Sequence, residues 1–237
     1  MLSKLDLQLV IDTFDDPDLL YGLLLHGSCA KGTDDCASDI DLICVKRVGK
    51  IEKKQAWVLG RNVDLHYIRP ALVRRAFIKP PVKNYNMILN SFRRGQVLAD
   101  RGGVVGRLVE EARVIWDEGP PAFSPVLCAR RMSFLIKGLQ RSQRSIPRAR
   151  TSAVFAELAR ILSDRVFREA ITVYFQSNRL WASSLPETLE WLQCGNPDFH
   201  ALCLQYLRSA NLEERVAALE QVIGMMAAMD MKDSAKN

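Results

Sequence analysis

Long hydrophobic runs are missing from this chain of 237 residues. A membrane-spanning helix needs roughly 18 consecutive apolar residues, and the longest near-apolar stretch, Val222 to Met229, falls well short. No membrane partner is expected. Closely spaced cysteine pairs are missing too. The six cysteines (Cys29, Cys36, Cys44, Cys128, Cys194 and Cys203) never fall at C-x-x-C spacing, which argues against a zinc site. The start of the chain carries Asp6 inside its first apolar pattern and does not read as a signal peptide. Reduced thiols in a cytoplasmic protein are therefore expected, without disulfides. Internal repeats and low-complexity segments are absent. Acids are scarce in one place: between Arg130 and Arg168 ten cations face only Glu157 and Asp164, an excess of eight on a chain whose total charge is +6. Such a segment is either a solvated basic face or a surface for an anionic partner.

What is present is an ordinary globular composition, 48% apolar and 25% charged, so a sizeable core can form. Residues 3–14 read as a short helix ended by Asp15-Asp16-Pro17-Asp18. Strands are expected at 21–26, at 39–46, at 62–68 and, briefly, at 96–99. Helices are expected from Pro70, from about Tyr85 to Phe92, and after Gly103 with Leu108, Ala112 and Ile115 on one face. Glu118-Gly119-Pro120-Pro121 is the clearest break, and strand signals stop after it. Helices then follow at 126–144 and 151–176. Another is opened by a capping-box pattern at Ser184-Leu185-Pro186-Glu187, and two more by Asn196-Pro197 and by Asn211. The organisation is a mixed α/β segment, 1–120, followed by an all-helical segment, 121–237.

The stretch that carries chemistry is Leu23-Leu24-Leu25-His26-Gly27-Ser28, followed after ten residues by Asp39-Ile40-Asp41-Leu42. Side chains alternate along a strand, so Asp39 and Asp41 point one way while Ile40 and Leu42 enter the core. In the strand at 62–68, Asp64 and His66 likewise share a face. If the two strands are neighbours, three carboxylates converge, and their mutual repulsion calls for a cation. Magnesium suits oxygen ligands and bridges to phosphates, and a pair of such ions would activate a hydroxyl and steady a transferring phosphate. Gly27 allows close backbone approach to a phosphate. Ser28 offers it a hydroxyl and an amide, and Lys31 a cation. Asp34 and Asp35 are rival acids expected to be exposed in the loop. His66 could orient a ligand, whereas His26 is expected to support the loop. Tyr174, Phe175 and Trp181 read as helix core rather than a stacking platform for a base.

These residues resemble the signature of the DNA-polymerase-β-like nucleotidyltransferase superfamily: His26-Gly27-Ser28, a short loop, Ser38-Asp39-Ile40-Asp41-Leu42, and a later strand whose Asp64 completes an acid triad. The resemblance implies an α/β (α+β) chain, with an N-terminal nucleotidyltransferase fold of mixed sheet and flanking helices and a C-terminal all-helical bundle. It implies metal-dependent transfer of a nucleoside monophosphate from an NTP, ATP by family habit, to an acceptor hydroxyl with release of pyrophosphate. Asp39, Asp41 and Asp64 would bind two Mg2+ ions, with Asp64 also the base, and Gly27, Ser28 and Lys31 would hold the triphosphate. Many small members carry Arg where this chain has Lys31, which keeps the charge but loses the bidentate fork. The helical segment is similar in architecture to the acceptor domain of small bacterial nucleotidyltransferases, where an acid sometimes serves as base; Glu157 and Glu169 are the candidates. The basic segment favours an anionic acceptor over a cationic one, and RNA ends and protein side chains remain open as acceptors or partners. The alternative is an antitoxin-like or nucleic-acid-binding module built on the same fold.

Overall fold

The computed structural model describes residues 2–78, 86–122, 124–182 and 184–234. The chain divides into two units, the first running to Gly119 and the second beginning at Pro120.

The first unit is built on a five-stranded mixed sheet. Helix α1 (Lys4–Phe14) opens it. Its N-cap Ser3 accepts from the Asp6 amide while its own amide donates to the Asp6 carboxylate at 2.8 Å, a reciprocal capping box. Strands β1 (Leu20–His26) and β2 (Ile40–Lys46) run antiparallel and are joined through the short helix α2 (Gly27–Lys31). Strands β3 (Glu52–Val58) and β4 (Arg61–Ile68) form a hairpin, and β4 pairs parallel with β2. Helices α3 (Pro70–Ile78) and α4 (Met87–Arg94) lead to β5 (Gln96–Asp100), and α5 (Val104–Glu118) closes the unit. The strand order is β3-β4-β2-β1-β5.

Alternation along the central strands decides what covers the two faces. Leu23, Leu25, Ile40, Leu42, Val63 and Leu65 pack with Val10 of α1 and Cys29 of α2. The odd-numbered positions of β2 face the other way, and helices α3 to α5 bury Val73, Phe77, Leu89, Phe92 and Leu108. Phe77 and Phe92 meet edge to face, 5.6 Å between ring centres.

Three sequence expectations need correction or completion. The strand β3 has no counterpart among them, because its pattern is polar and exposed along most of its length, as suits a sheet edge. Ser184 does cap its helix, but its side chain makes no capping bond. Helix α6 continues past the expected stop at 144 to Ala149, with Pro147 inside its last turns. Tyr85, the expected start of one helix, lies outside the described residues.

The second unit is a bundle of α6 (Pro125–Ala149), α7 (Ala153–Ser177), α8 (Leu185–Gly195), α9 (Pro197–Arg208) and α10 (Leu212–Ser234). Helices α6 and α7 form a hairpin whose core includes Leu135, Leu139, Val166 and Phe167. They pack tightly at Gly138, where a β-carbon would lie 2.6 Å from a Val166 methyl. Phe167 stacks on Tyr206 at 4.0 Å, and Tyr174 on Phe199 at 4.1 Å, so Tyr174 is core. No helix among the described residues is long and apolar enough to cross a membrane.

Candidate active site

Strand direction gathers the site at one end of the sheet. The chain leaves β1 at His26, turns through α2 and re-enters antiparallel at β2, so the end of β1 lies beside the start of β2. Because β4 runs parallel to β2, its start lies at the same end. The register is direct: His26 is opposite Asp41, and Asp41 is opposite Asp64. Neighbouring strands stand about 4.8 Å apart and directly paired residues share a face, so the Asp41 and Asp64 carboxylates are neighbours. Asp39, exposed, sits just before β2.

The electrostatics agree with this crowding. The Asp41 carboxyl is pushed up to about 6, first by burial and then by the charges of Asp64 and Asp39. Asp64 is held in place: its Oδ1 accepts from Gln55 Nε2 at 2.9 Å and from Asn62 Nδ2 at 3.3 Å. Gln55 comes from the edge strand β3, directly opposite Asp64. Its role was not legible without that strand.

Gly27 is required twice over. Its φ is +72°, in the left-handed region, and a β-carbon there would fall 2.2 Å from Asp41 Oδ2. Ser28 follows in α2, half-buried, and Lys31 is the exposed last residue of that helix. The loop from α2 to β2 is fastened from below by Arg61. Its guanidinium donates to the Ser38 carbonyl at 2.7 Å, to Asp34 Oδ2 at 3.0 Å and to Cys29 Sγ at 3.4 Å. Asp34 was expected to be exposed. Its side chain is instead fully buried in this ion pair, and the Arg61 hydrogen bond holds its carboxyl below the usual range. Asp34 is thus removed as a rival ligand, whereas Asp35 stays exposed and bonds to Ser38.

His26 supports the site from the other side. Ser91 of α4 lies 3.2 Å from its Nδ1, its Nε2 is buried with no partner among the described residues, and burial pushes its pKa down to about 4. The ring is therefore neutral at pH 7. His66 lies on the same face, 6.3 Å from His26 between ring centres, and burial lowers it as well.

Among the described residues no three acidic, histidine or cysteine side chains stand as a ready-made metal cage. The donor set nonetheless suits a hard cation, since Asp41 and Asp64 converge with only oxygen ligands and the Asp41 carboxyl shows the strain of burial and, next, of like charges. That strain has a measurable sign. A carboxyl that holds its proton more tightly folded than unfolded loses stability as pH rises from its ordinary value near 4 toward about 6. Asp41→Asn is therefore expected to raise the metal-free melting temperature by about 2–4 °C at about pH 7.5, after discounting for screening at a half-exposed group, and to change it little at about pH 4. Calorimetry in EDTA checks this; an unchanged or lower melting temperature at the higher pH would contradict the crowding.

Residues 8–94, which contain every group just described, match the model of the family described as nucleotidyltransferase domain. That segment of the chain is similar to nucleotidyltransferase domains. The family is one of nucleotidyl transfer, and the sheet end described above lies wholly inside the matched segment. A nucleotidyltransferase-like protein from Exiguobacterium sibiricum 255-15 is similar to the chain in structure at 14% identity and a TM-score of 0.49, covering 93% of this chain and 74% of that one. No curated protein matches the chain.

Proposed function

We propose that the chain is a metal-dependent nucleotidyltransferase that moves a nucleoside monophosphate, AMP from ATP, to an acceptor hydroxyl. The observation that carries this reading is the direct Asp41–Asp64 register beside the Gly27–Ser28 turn. Asp39, Asp41 and Asp64 would hold Mg2+, whose chemistry at such a site is to neutralise phosphate charge and acidify a hydroxyl. Gly27 keeps side-chain atoms away from the triphosphate path. Ser28 contributes a hydroxyl and a backbone amide to it, and Lys31 a positive charge. Gln55 and Asn62 fix the Asp64 carboxylate by occupying one oxygen, which leaves the carboxylate oriented to accept the acceptor's proton. The new bond joins acceptor oxygen to the α-phosphorus. The α–β phosphoanhydride bond breaks, and pyrophosphate leaves with its electron pair. In this reading the first unit holds nucleotide and metal, the second takes the acceptor or partner, and the protein works in the cytoplasm. The excess of positive charge in the second unit favours an anionic acceptor.

Parallel reactions with ATP labelled at the α or the γ position, with magnesium and cell extract as acceptor source, test the reaction type. Transfer of the α label, with γ label released in pyrophosphate, is expected. Transfer of the γ label, or of neither, would overturn the proposal.

A further inference from the structure

The second unit contains a groove separate from the residues that hold nucleotide and metal in the reading above. It is a cavity of about 830 Å3 between α6 and α7, and all of its lining belongs to those two helices. Helical spacing places Arg130 and Phe134 one turn apart on α6, and Ile161, Arg165 and Arg168 along one face of α7. Two acids also reach the groove, but each is already engaged. Glu169 pairs with Arg131 across the helices, and Asp164 accepts from the Tyr206 hydroxyl at 2.7 Å and faces Arg215 at 3.4 Å. Arg130, Arg165 and Arg168 make no ion pair among the described residues.

Between these guanidinium groups lie apolar surfaces that a folded protein normally covers. Phe134 is 42% exposed and Ile161 57%, with Leu127 half-buried beside them. The groove therefore combines unpaired cations with an uncovered apolar floor in a volume typical of small-molecule sites. A nucleic-acid surface would need the charge but not the floor, and a solvated basic face would need neither concavity nor floor.

We infer that the α6–α7 groove binds a small phosphorylated molecule with an apolar or aromatic body. Three unpaired guanidiniums match a phosphate dianion better than a single negative charge, since each fork can offer paired hydrogen bonds to phosphate oxygens. Phe134 and Ile161 would take the apolar body, removing from water the surface they now expose. The site lies wholly within the second unit, so it stands whether or not the first unit transfers nucleotides.

The probe is 1-naphthyl phosphate, titrated calorimetrically into the full chain without magnesium or nucleotide, with inorganic phosphate and 1-naphthol as its two halves. Binding at least about tenfold tighter than that of either half is expected, with affinity falling as salt is added. The double variant Arg130→Ala/Arg168→Ala removes exposed side chains, so it should fold, as its melting temperature will show. It should weaken the probe about tenfold or more, whereas Asp41→Asn should leave the probe's affinity unchanged. Probe binding no tighter than that of inorganic phosphate would overturn the inference. So would binding unaffected by the double variant, or binding lost in Asp41→Asn, which would place the probe in the nucleotide site.

Discussion

Asp41→Asn is expected to lower nucleotidyl transfer about a thousandfold or more while leaving the fold intact, a loss equivalent to roughly 4 kcal/mol of transition-state stabilisation. The substitution keeps the shape of the side chain and removes the charge at the centre of the row formed by His26, Asp41 and Asp64. Asp64→Asn should cost a similar factor, since it removes both a ligand oxygen and the proposed proton acceptor. The two losses should not add, because the residues act as a unit. Circular dichroism and melting temperature control for folding. For Asp41 the stability change should be opposite in sign to the activity change, which distinguishes loss of function from unfolding. Magnesium-dependent transfer at the wild-type rate in either variant would remove that residue from the chemistry.

The second large effect is expected at Gly27. A side chain there must adopt φ near +72° and place its first carbon 2.2 Å from Asp41 Oδ2. Gly27→Val should reduce transfer about a hundredfold, because either the turn or the Asp41 carboxylate must shift from its working position. It should also cost about 1–3 kcal/mol of stability from backbone strain. Gly60 separates the two causes. Its φ is +69°, yet open space surrounds the position a β-carbon would take. Gly60→Ala should carry the strain without the clash, and so lose stability while keeping its rate. Equal rate losses in both glycine variants would mean that the close approach to Asp41 does not matter.

The centre of the candidate site is legible in the sequence because its residues are close together in the chain and their types are restrictive. An apolar strand ending in His26-Gly27-Ser28 and an alternating Asp39-Ile40-Asp41-Leu42 leave few arrangements, and period-two alternation already set Asp41 apart from the core. The partners that position these groups were not legible. Gln55 reaches Asp64 from an edge strand whose polar, exposed residues give no periodic signal. Arg61 reaches back across 27 residues to Asp34, and nothing local marks that pairing. A loop acid such as Asp34 is ordinarily exposed; its burial follows from a partner distant in sequence. The strand order is likewise a property of pairing between distant segments: β2 pairs with β4 and β1 with β5, each across intervening elements. In the helical unit the basic stretch was visible as charge. Its concentration into a groove depends on the antiparallel hairpin of α6 and α7, which brings Arg130 and Arg168 to one opening.

The central claim is that Asp41 and Asp64, with Asp39, jointly hold a divalent ion against a nucleotide. The most direct measurement is an electron paramagnetic resonance titration of Mn2+ with an α,β-methylene ATP analogue present, which blocks turnover and needs no acceptor. Saturable binding is expected in the wild-type chain and should weaken by about a hundredfold in both Asp41→Asn and Asp64→Asn. Mn2+ binding of the same strength in all three proteins would contradict the account.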